Sequence, residues 1–184
     1  EHFLRLPLLT DLHITPVPKT HIPTFRELVY DYWFELMRTA SRLKDEASRS
    51  AYFTDRFHWD DDHVPPYWAV RDGQPIGFVH FRVSDRRAQV ADFYVCPEVR
   101  RQGVGRQLVR WLLAHLDALS VTEIELSARR DNPGSLAFWE SQGFMIGHHQ
   151  LLMHRDPDSG TAYKGALSSD FDEADLGFEP WKVR

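Results

Sequence analysis

Residues 97–109 read PEVRRQGVGRQLV. Gly103 and Gly105 follow the paired Arg100 and Arg101 and open an apolar helical pattern. Val104, Leu108, Trp111, Leu112, His115 and Leu119 recur near helical spacing, which predicts a helix from Gly103 to about Leu119. Immediately upstream, AQVADFYVC (88–96) alternates as a strand does and is stopped by Pro97. Two glycines where a strand turns into a helix remove Cβ atoms, so successive backbone N–H groups can converge on one external point. The helix dipole reinforces that point, and such a concavity suits a phosphate or pyrophosphate. Arg100, Arg101 and Arg106 add positive charge around it. Glycine spacing alone favours an ordinary glycine-containing loop with solvated arginines. The dinucleotide fingerprint is excluded because Leu108 stands where its third glycine belongs, and the G-K-[S/T] of a P-loop is absent.

Working outward, VTEIELSA (121–128) alternates as a further strand. A strand, a helix and a strand in that order imply one crossover and a local parallel pair. YWAVRDGQPIGFVHFRV (67–83) places two apolar runs around Asp72-Gly73, a dipeptide suited to the positive φ angles of a tight hairpin. LHITPV (12–17) reads as a short first strand, and Thr24 as the cap of a helix through about Arg38. A more polar helix is expected at about 41–54, and FHWDDDHVPP (57–66) is expected to be a loop. NPGSLAFWESQGF (132–144) predicts a short helix, with Asn132 as N-cap, Pro133 at its first position and Gly143 ending it. HHQLLMHR (148–155) is expected to be the last core strand. The fold class is a mixed α/β sheet.

A chain of 184 residues suits one domain that buries roughly two-thirds of its unfolded surface. The net charge of −5 gives no general reason to expect nucleic-acid binding. A single cysteine, Cys96, excludes an internal disulfide framework and suits a reducing cytosol. No apolar run approaches the roughly 18 residues of a membrane span, and the amino-terminal residues lack a signal-peptide pattern. A cytoplasmic protein without membrane partners is the expectation. The domain is assigned to residues 1–155. Residues 156–184 form an acidic tail that also carries Phe171, Leu176, Phe178 and Trp181, and it reads either as a solvated appendage or as a docking arm.

YVCPEVRRQGVGRQL resembles motif A of the GCN5-related N-acetyltransferases (the GNAT superfamily), [Q/R]-x-x-G-x-[G/A] after a strand ending in Val-x-Pro. Arg100, Gly103 and Gly105 occupy the motif positions, preceded by Val95 and Pro97. NPGSLAFWESQGF resembles that family's motif B, with Asn132, Phe138, Gly143 and Phe144 in place. The resemblance covers roughly residues 66–154 and, more weakly, 12–55. It implies a GNAT fold: a mixed, mostly antiparallel central sheet whose central strands splay apart between flanking helices.

The resemblance also implies acetyl-CoA as acyl donor and a primary amine as acceptor. Backbone groups of Phe93, Tyr94 and Val95 would pair with the pantetheine arm. The amides of Arg101, Gln102, Gly103, Val104, Gly105 and Arg106 would hold the pyrophosphate beside Arg100. Asn132, Phe138 and Trp139 would form the opposite wall. Asp92 is the leading candidate for a general base, with Glu123 and Glu125 as rivals, and a backbone N–H near Tyr94 or Val95 would meet the oxyanion.

One position departs from the family. Where many members carry a tyrosine that protonates the leaving thiolate, this chain has Trp139, whose indole is no acid at neutral pH. Tyr94 or Tyr163 could substitute. Trp139 also leaves open a rival role, an acyl-CoA-binding regulatory module with little or no turnover.

Asp60, Asp61 and Asp62, near Trp59, Tyr67 and Trp68, hint at a small cationic amine as acceptor rather than a protein, although an ordinary solvated loop accounts for the same residues. With His58 and His63 they lack a recognised ligand spacing, so no metal is expected there. A homodimer is compatible with this reading.

Overall fold

The computed structural model describes residues 12–36, 43, 45–60, 63–129 and 132–147. Strand β1 (His13–Pro16) leads through a short 3-10 turn, Lys19–His21, into helix α1 (Ile22–Leu36). Thr24 therefore lies inside the first turn and does not cap the helix. Pro23 permits the earlier start, because its missing N–H would have had no partner in a first turn anyway. Helix α2 (Glu46–Arg56) begins later than expected, at Asp45, whose side chain accepts from the Ser48 N–H at 2.8 Å.

Strands β2 (Tyr67–Arg71) and β3 (Gln74–Ser84) form the hairpin, with Asp72 and Gly73 at φ 51° and 76° as the dipeptide demands. Strand β4 (Arg87–Val95) follows, then helix α3 (Val104–Ala118), strand β5 (Glu123–Leu126) and helix α4 (Pro133–Ser141). Asn132 caps α4 through the Ser135 N–H, and Gly143 at φ 95° ends it. The strands lie in the order β1-β2-β3-β4-β5, antiparallel except for the parallel β4–β5 pair that the α3 crossover requires. The sheet is open and mixed, with helices on both faces.

The two faces bury different cores. On one, α1 and α2 pack Phe25, Val29, Trp33, Phe53 and Phe57 on Phe78 and Tyr94 of the sheet. On the other, Leu108, Leu112 and Leu116 of α3 cover Val79, Phe81, Ala88 and Val90. On this second face the buried α3 side chains are all aliphatic. The first is a chain of aromatic contacts in which Phe25 meets Phe53, Phe57, Trp59 and Phe78 at 5.1–6.1 Å between ring centres. No helix among the described residues is long and apolar enough to cross a membrane.

One irregularity organises the middle of the sheet. His80 pairs with Asp92 but its neighbour Phe81 pairs with Val90, so Ala91 is an extra residue in β4. Before this bulge, Ala88 and Val90 face α3; after it, Phe93 and Val95 do, while Asp92 and Tyr94 turn toward α1 and α2. The parallel pairing also stops there, at Val90 with Leu126. Beyond the bulge β4 runs on to Val95 against β3 alone, so β4 and β5 diverge.

Candidate active site

The divergence opens a cleft of about 850 Å³. Its floor is β4 from Val90 to Val95, one wall comes from α1, and the other from α4 and the residues after β5. The loop 100–106 closes one end.

Strand geometry decides which β4 groups face the cleft. A Cβ built on Gly77 of β3 would sit 2.5 Å from the Tyr94 carbonyl oxygen, and the Cys96 N–H donates to the Ile76 carbonyl. Tyr94 and Cys96 thus spend their backbone groups on β3. Alternation turns those of Phe93 and Val95 the other way, into the cleft. Tyr94 offers the cleft its side chain, and of the two N–H groups considered for an oxyanion, that of Val95 faces inward. The Val95 carbonyl already accepts from Arg100 Nε at 2.8 Å.

The two glycines of the loop have different causes. Gly103 sits at φ 83° at the N-cap of α3, and Arg101 at φ 63° is also left-handed. These reversals build a nest of the kind that binds anions, opening on the start of α3. Gly105 has ordinary helical geometry, but a Cβ there would lie 3.2 Å from the Phe138 ring of α4. Its absence lets α4 close against the loop. Arg106 and Arg101 are exposed at the cleft, whereas the Arg100 guanidinium is paired with Glu35 of α1 at 2.8 and 2.7 Å. Gln102 turns away to the Glu98 carbonyl and to Arg71, and the Val104 side chain is buried in the α3 core.

On the α4 wall, Asn132 and Phe138 line the cleft. Trp139 is buried, its ring edge-on to Phe93 at 4.8 Å and to Phe144 at 5.1 Å. It serves as an apolar wall.

Asp92 lies just past the bulge and is 3% exposed. Arg56 Nε, from the last turn of α2, donates to both carboxylate oxygens at 3.0 Å, and its Nη2 donates to the Ala91 carbonyl at 2.9 Å. His80 Nδ1 bonds the same carboxylate at 3.0 Å. An ionised carboxylate only accepts, so Nδ1 carries the imidazole proton. Burial alone would raise the Asp92 carboxyl, but the Arg56 guanidinium and the His80 bond outweigh it and hold the group below the usual carboxylate range. Burial pushes His80 below its usual value against the pull of Asp92, so the ring stays neutral. Asp92 is an anion held by Arg56 and His80, which makes it a weak proton acceptor. Its evident work is to let one arginine grip the extra residue of the bulge.

Other candidates lie elsewhere. Glu123 pairs with Arg87 at the surface, and Glu125 is exposed; neither lines the cleft. Tyr67 and Trp68 occupy opposite faces of β2, and Trp59 is tied to the Val17 carbonyl within the α1–α2 core, so these aromatics do not form the cation-binding group expected beside Asp60. His58, Asp60 and His63 bring ligand-type atoms within 4.8 Å of one another, with His58 Nε2 bonded to the Asp55 carbonyl and His63 to Asp60. Burial and then Glu98 push the Cys96 thiol up to about 11, which makes it inert. Asp61, Asp62, Tyr163, the strand expected at 148–155 and the tail 156–184 lie outside the described residues.

Sequence reasoning missed Arg56, His80, Tyr32 and Glu35. No local pattern marks the first two, whose tie to Asp92 spans 36 and 12 residues. Tyr32 and Glu35 lie a turn apart on α1, and their helical register could have placed them on the face toward Tyr94.

The family model described as the acetyltransferase (GNAT) family matches residues 25–144. The ribosomal protein bS18-alanine N-acetyltransferase of Escherichia coli (strain K12) is 26% identical over 120 residues, covering 59% of this chain and 81% of its own. Among solved structures, an aminoglycoside N-acetyltransferase AAC(6')-Iy in complex with CoA superposes with a TM-score of 0.62 at 19% identity, over 83% of this chain and 99% of the other. The PaiA N-acetyltransferase of Thermoplasma acidophilum with coenzyme A gives a TM-score of 0.60 at 16% identity, over 76% and 93%.

Proposed function

The chain belongs to the GNAT family of acetyltransferases, and on that premise we propose that it carries the acetyl group of acetyl-CoA to the primary amine of a small cationic molecule, in a ternary complex. It is an acyl-CoA-dependent N-acetyltransferase acting on an amine. The observation that carries the reading is the strand divergence at the Ala91 bulge, with the glycine nest at one end of the resulting cleft.

In this reading the pyrophosphate lies on the amides of residues 101–106, and the pantetheine runs along the cleft-facing groups of Phe93 and Val95. Asn132, Phe138 and Trp139 close the other side. The thioester then reaches the bulge, beside Tyr94 and above the anchored Asp92. The Val95 N–H faces the developing oxyanion.

The acceptor must arrive as ammonium and react as amine. Deprotonating a lysine-like amine at pH 7, which frees the lone pair for attack, costs about 4.6 kcal/mol. Burial and Cys96, then Glu35 and Asp31, raise the Tyr94 phenol, while Arg100, paired with Glu35 and lying over the Tyr94 ring, pulls it down. With Asp92 engaged by Arg56 and His80, the ammonium proton leaves to water. The thiolate needs little help, because a thiol of pKa about 8.5 puts only roughly 2 kcal/mol at stake at pH 7. A wall tryptophan at residue 139 is tolerable on that arithmetic.

The experiment is thiol release from acetyl-CoA across a panel of aminoglycosides, polyamines and amino-terminal peptides. Preference for the peptides would replace the small-molecule acceptor with a protein one.

A further inference from the structure

We propose that Tyr32 is a catalytic residue that holds the acceptor nitrogen, its hydroxyl made a fixed hydrogen-bond acceptor by the Arg56-anchored carboxylate of Asp92. The inference rests on the acetyl-transfer reading of the cleft.

Tyr32 projects from α1 and lines the cleft together with Asp92 and Tyr94. Its ring is set edge-on to Phe78 at 5.4 Å and lies 5.4 Å from the ring of Tyr94, so the phenol has a defined position. A phenol has one proton to give and lone pairs to receive. Asp92 lines the same cleft, an anion that Arg56 and His80 keep ionised and in place and whose charge acts on the Tyr32 phenol. The Tyr32 proton therefore goes to Asp92, which leaves the oxygen lone pairs for the cleft. A phenol that donates to a carboxylate is polarised and becomes a stronger acceptor.

An incoming neutral amine donates one N–H to that oxygen, which turns the nitrogen lone pair toward the thioester. Burial and then the Asp92 charge push the phenol well above its usual value, so Tyr32 stays neutral and orients the nucleophile without exchanging a proton. The ammonium gives its first proton to water before attack. The nitrogen lone pair then forms the C–N bond as the carbonyl π electrons move to oxygen. When those electrons return, the C–S bond breaks with its pair on sulfur, and the second nitrogen proton passes through water to the thiolate. The products are an amide and free thiol. Tyr32 ends as it began.

This role explains why a half-buried arginine and a neutral histidine should converge on one carboxylate beneath an acyl site. They hold Asp92 as a permanent acceptor, and that fixes which way the Tyr32 proton points. Asp92, Arg56 and His80 are positioning residues in this arrangement, acting through the phenol.

The test compares wild type with Tyr32→Phe, using an amine that wild type acetylates, with acetyl-CoA binding by calorimetry and thermal unfolding in parallel. The expected result is a loss of about 100-fold in amine kcat/KM, a magnitude usual for one positioned polar group in the transition state. Acetyl-CoA Kd should stay within about twofold of wild type, below the tenfold that 1.4 kcal/mol would represent. A Tyr32→Phe variant with unaltered amine kcat/KM would overturn the inference alone. Loss of acetyl-CoA affinity in step with activity would assign Tyr32 to the fold and overturn it too. Wild-type protein that releases no thiol with any amine would overturn the inference together with the transfer reading beneath it.

Discussion

Arg56 Nε donates to both carboxylate oxygens of Asp92 at 3.0 Å, and the same side chain holds the carbonyl of Ala91, the extra residue of the β4 bulge. The ion pair thus joins the end of α2 to the point where the central strands part. Removing Arg56 leaves the buried Asp92 carboxylate with only the neutral His80 beside it, a loss of the kind that typically costs about 3 to 5 kcal/mol. Arg56→Gln should lower unfolding free energy by that order in urea titrations at pH 7, and Asp92→Asn by less, because the guanidinium it leaves is partly exposed. A loss below about 1 kcal/mol, the range of exposed pairs, would show that the pair does not brace the bulge.

Acid should unfold the protein in two stages. His80 is depressed in the fold, so its neutral form stabilises fully above the ordinary imidazole value of about 6.5, and that contribution falls as pH drops below it. Asp92 is also depressed, so its contribution holds above about pH 4 and is lost as pH falls through the lower folded value. Tm measured from pH 8 to pH 3 should decline first below about 6.5 and again below about 4. His80→Gln should remove the first decline and keep the second. An identical profile in that variant would assign the first decline to other histidines.

Gly103 and Gly105 should fail differently. Gly103→Ala forces a side chain onto φ 83°, a strain of order 1–2 kcal/mol, and should lower Tm. Gly105→Ala leaves the backbone relaxed but brings a Cβ to 3.2 Å from Phe138. It should weaken acetyl-CoA binding with little change in Tm, and Phe138→Leu should restore part of the affinity. If both single variants bind acetyl-CoA as wild type does, the loop is not the pyrophosphate site.

Much of the fold is legible in sequence because its determinants are local. Asp72-Gly73 sets a hairpin, Asn132-Pro133 starts a helix, and the 88–128 order forces a crossover, each within a few residues of its consequence. The start of α1 is misread because Thr24 has the chemistry of a cap, whereas Pro23 is already an acceptable first-turn residue. The candidate site is legible only where a motif encodes it, as at Gly103 and Gly105. Nothing around Ala91 signals a bulge, and the role of Asp92 depends on Arg56 and His80, which reach it through packing of α2 on the sheet. The aromatic group imagined beside Asp60 fails for a reason that was readable. Tyr67 and Trp68 are consecutive in a strand and must face opposite ways.

Trp139 occupies the wall through contact with Phe93 and Phe144. Trp139→Phe should therefore keep kcat within severalfold while lowering Tm through the cavity left behind. A collapse of kcat with acetyl-CoA affinity intact would instead make the indole N–H a participant in thiolate departure.

The most direct measurement is a paired assay of free thiol and acetylated amine, run on wild-type protein with acetyl-CoA and the acceptor panel. One acetylated amine should form for each thiol released, and both signals should vanish together when the amine is withheld. Thiol release without an acetylated product, or tight acetyl-CoA binding with no release for any amine, would contradict an acetyl-transfer site in the cleft between β4 and β5.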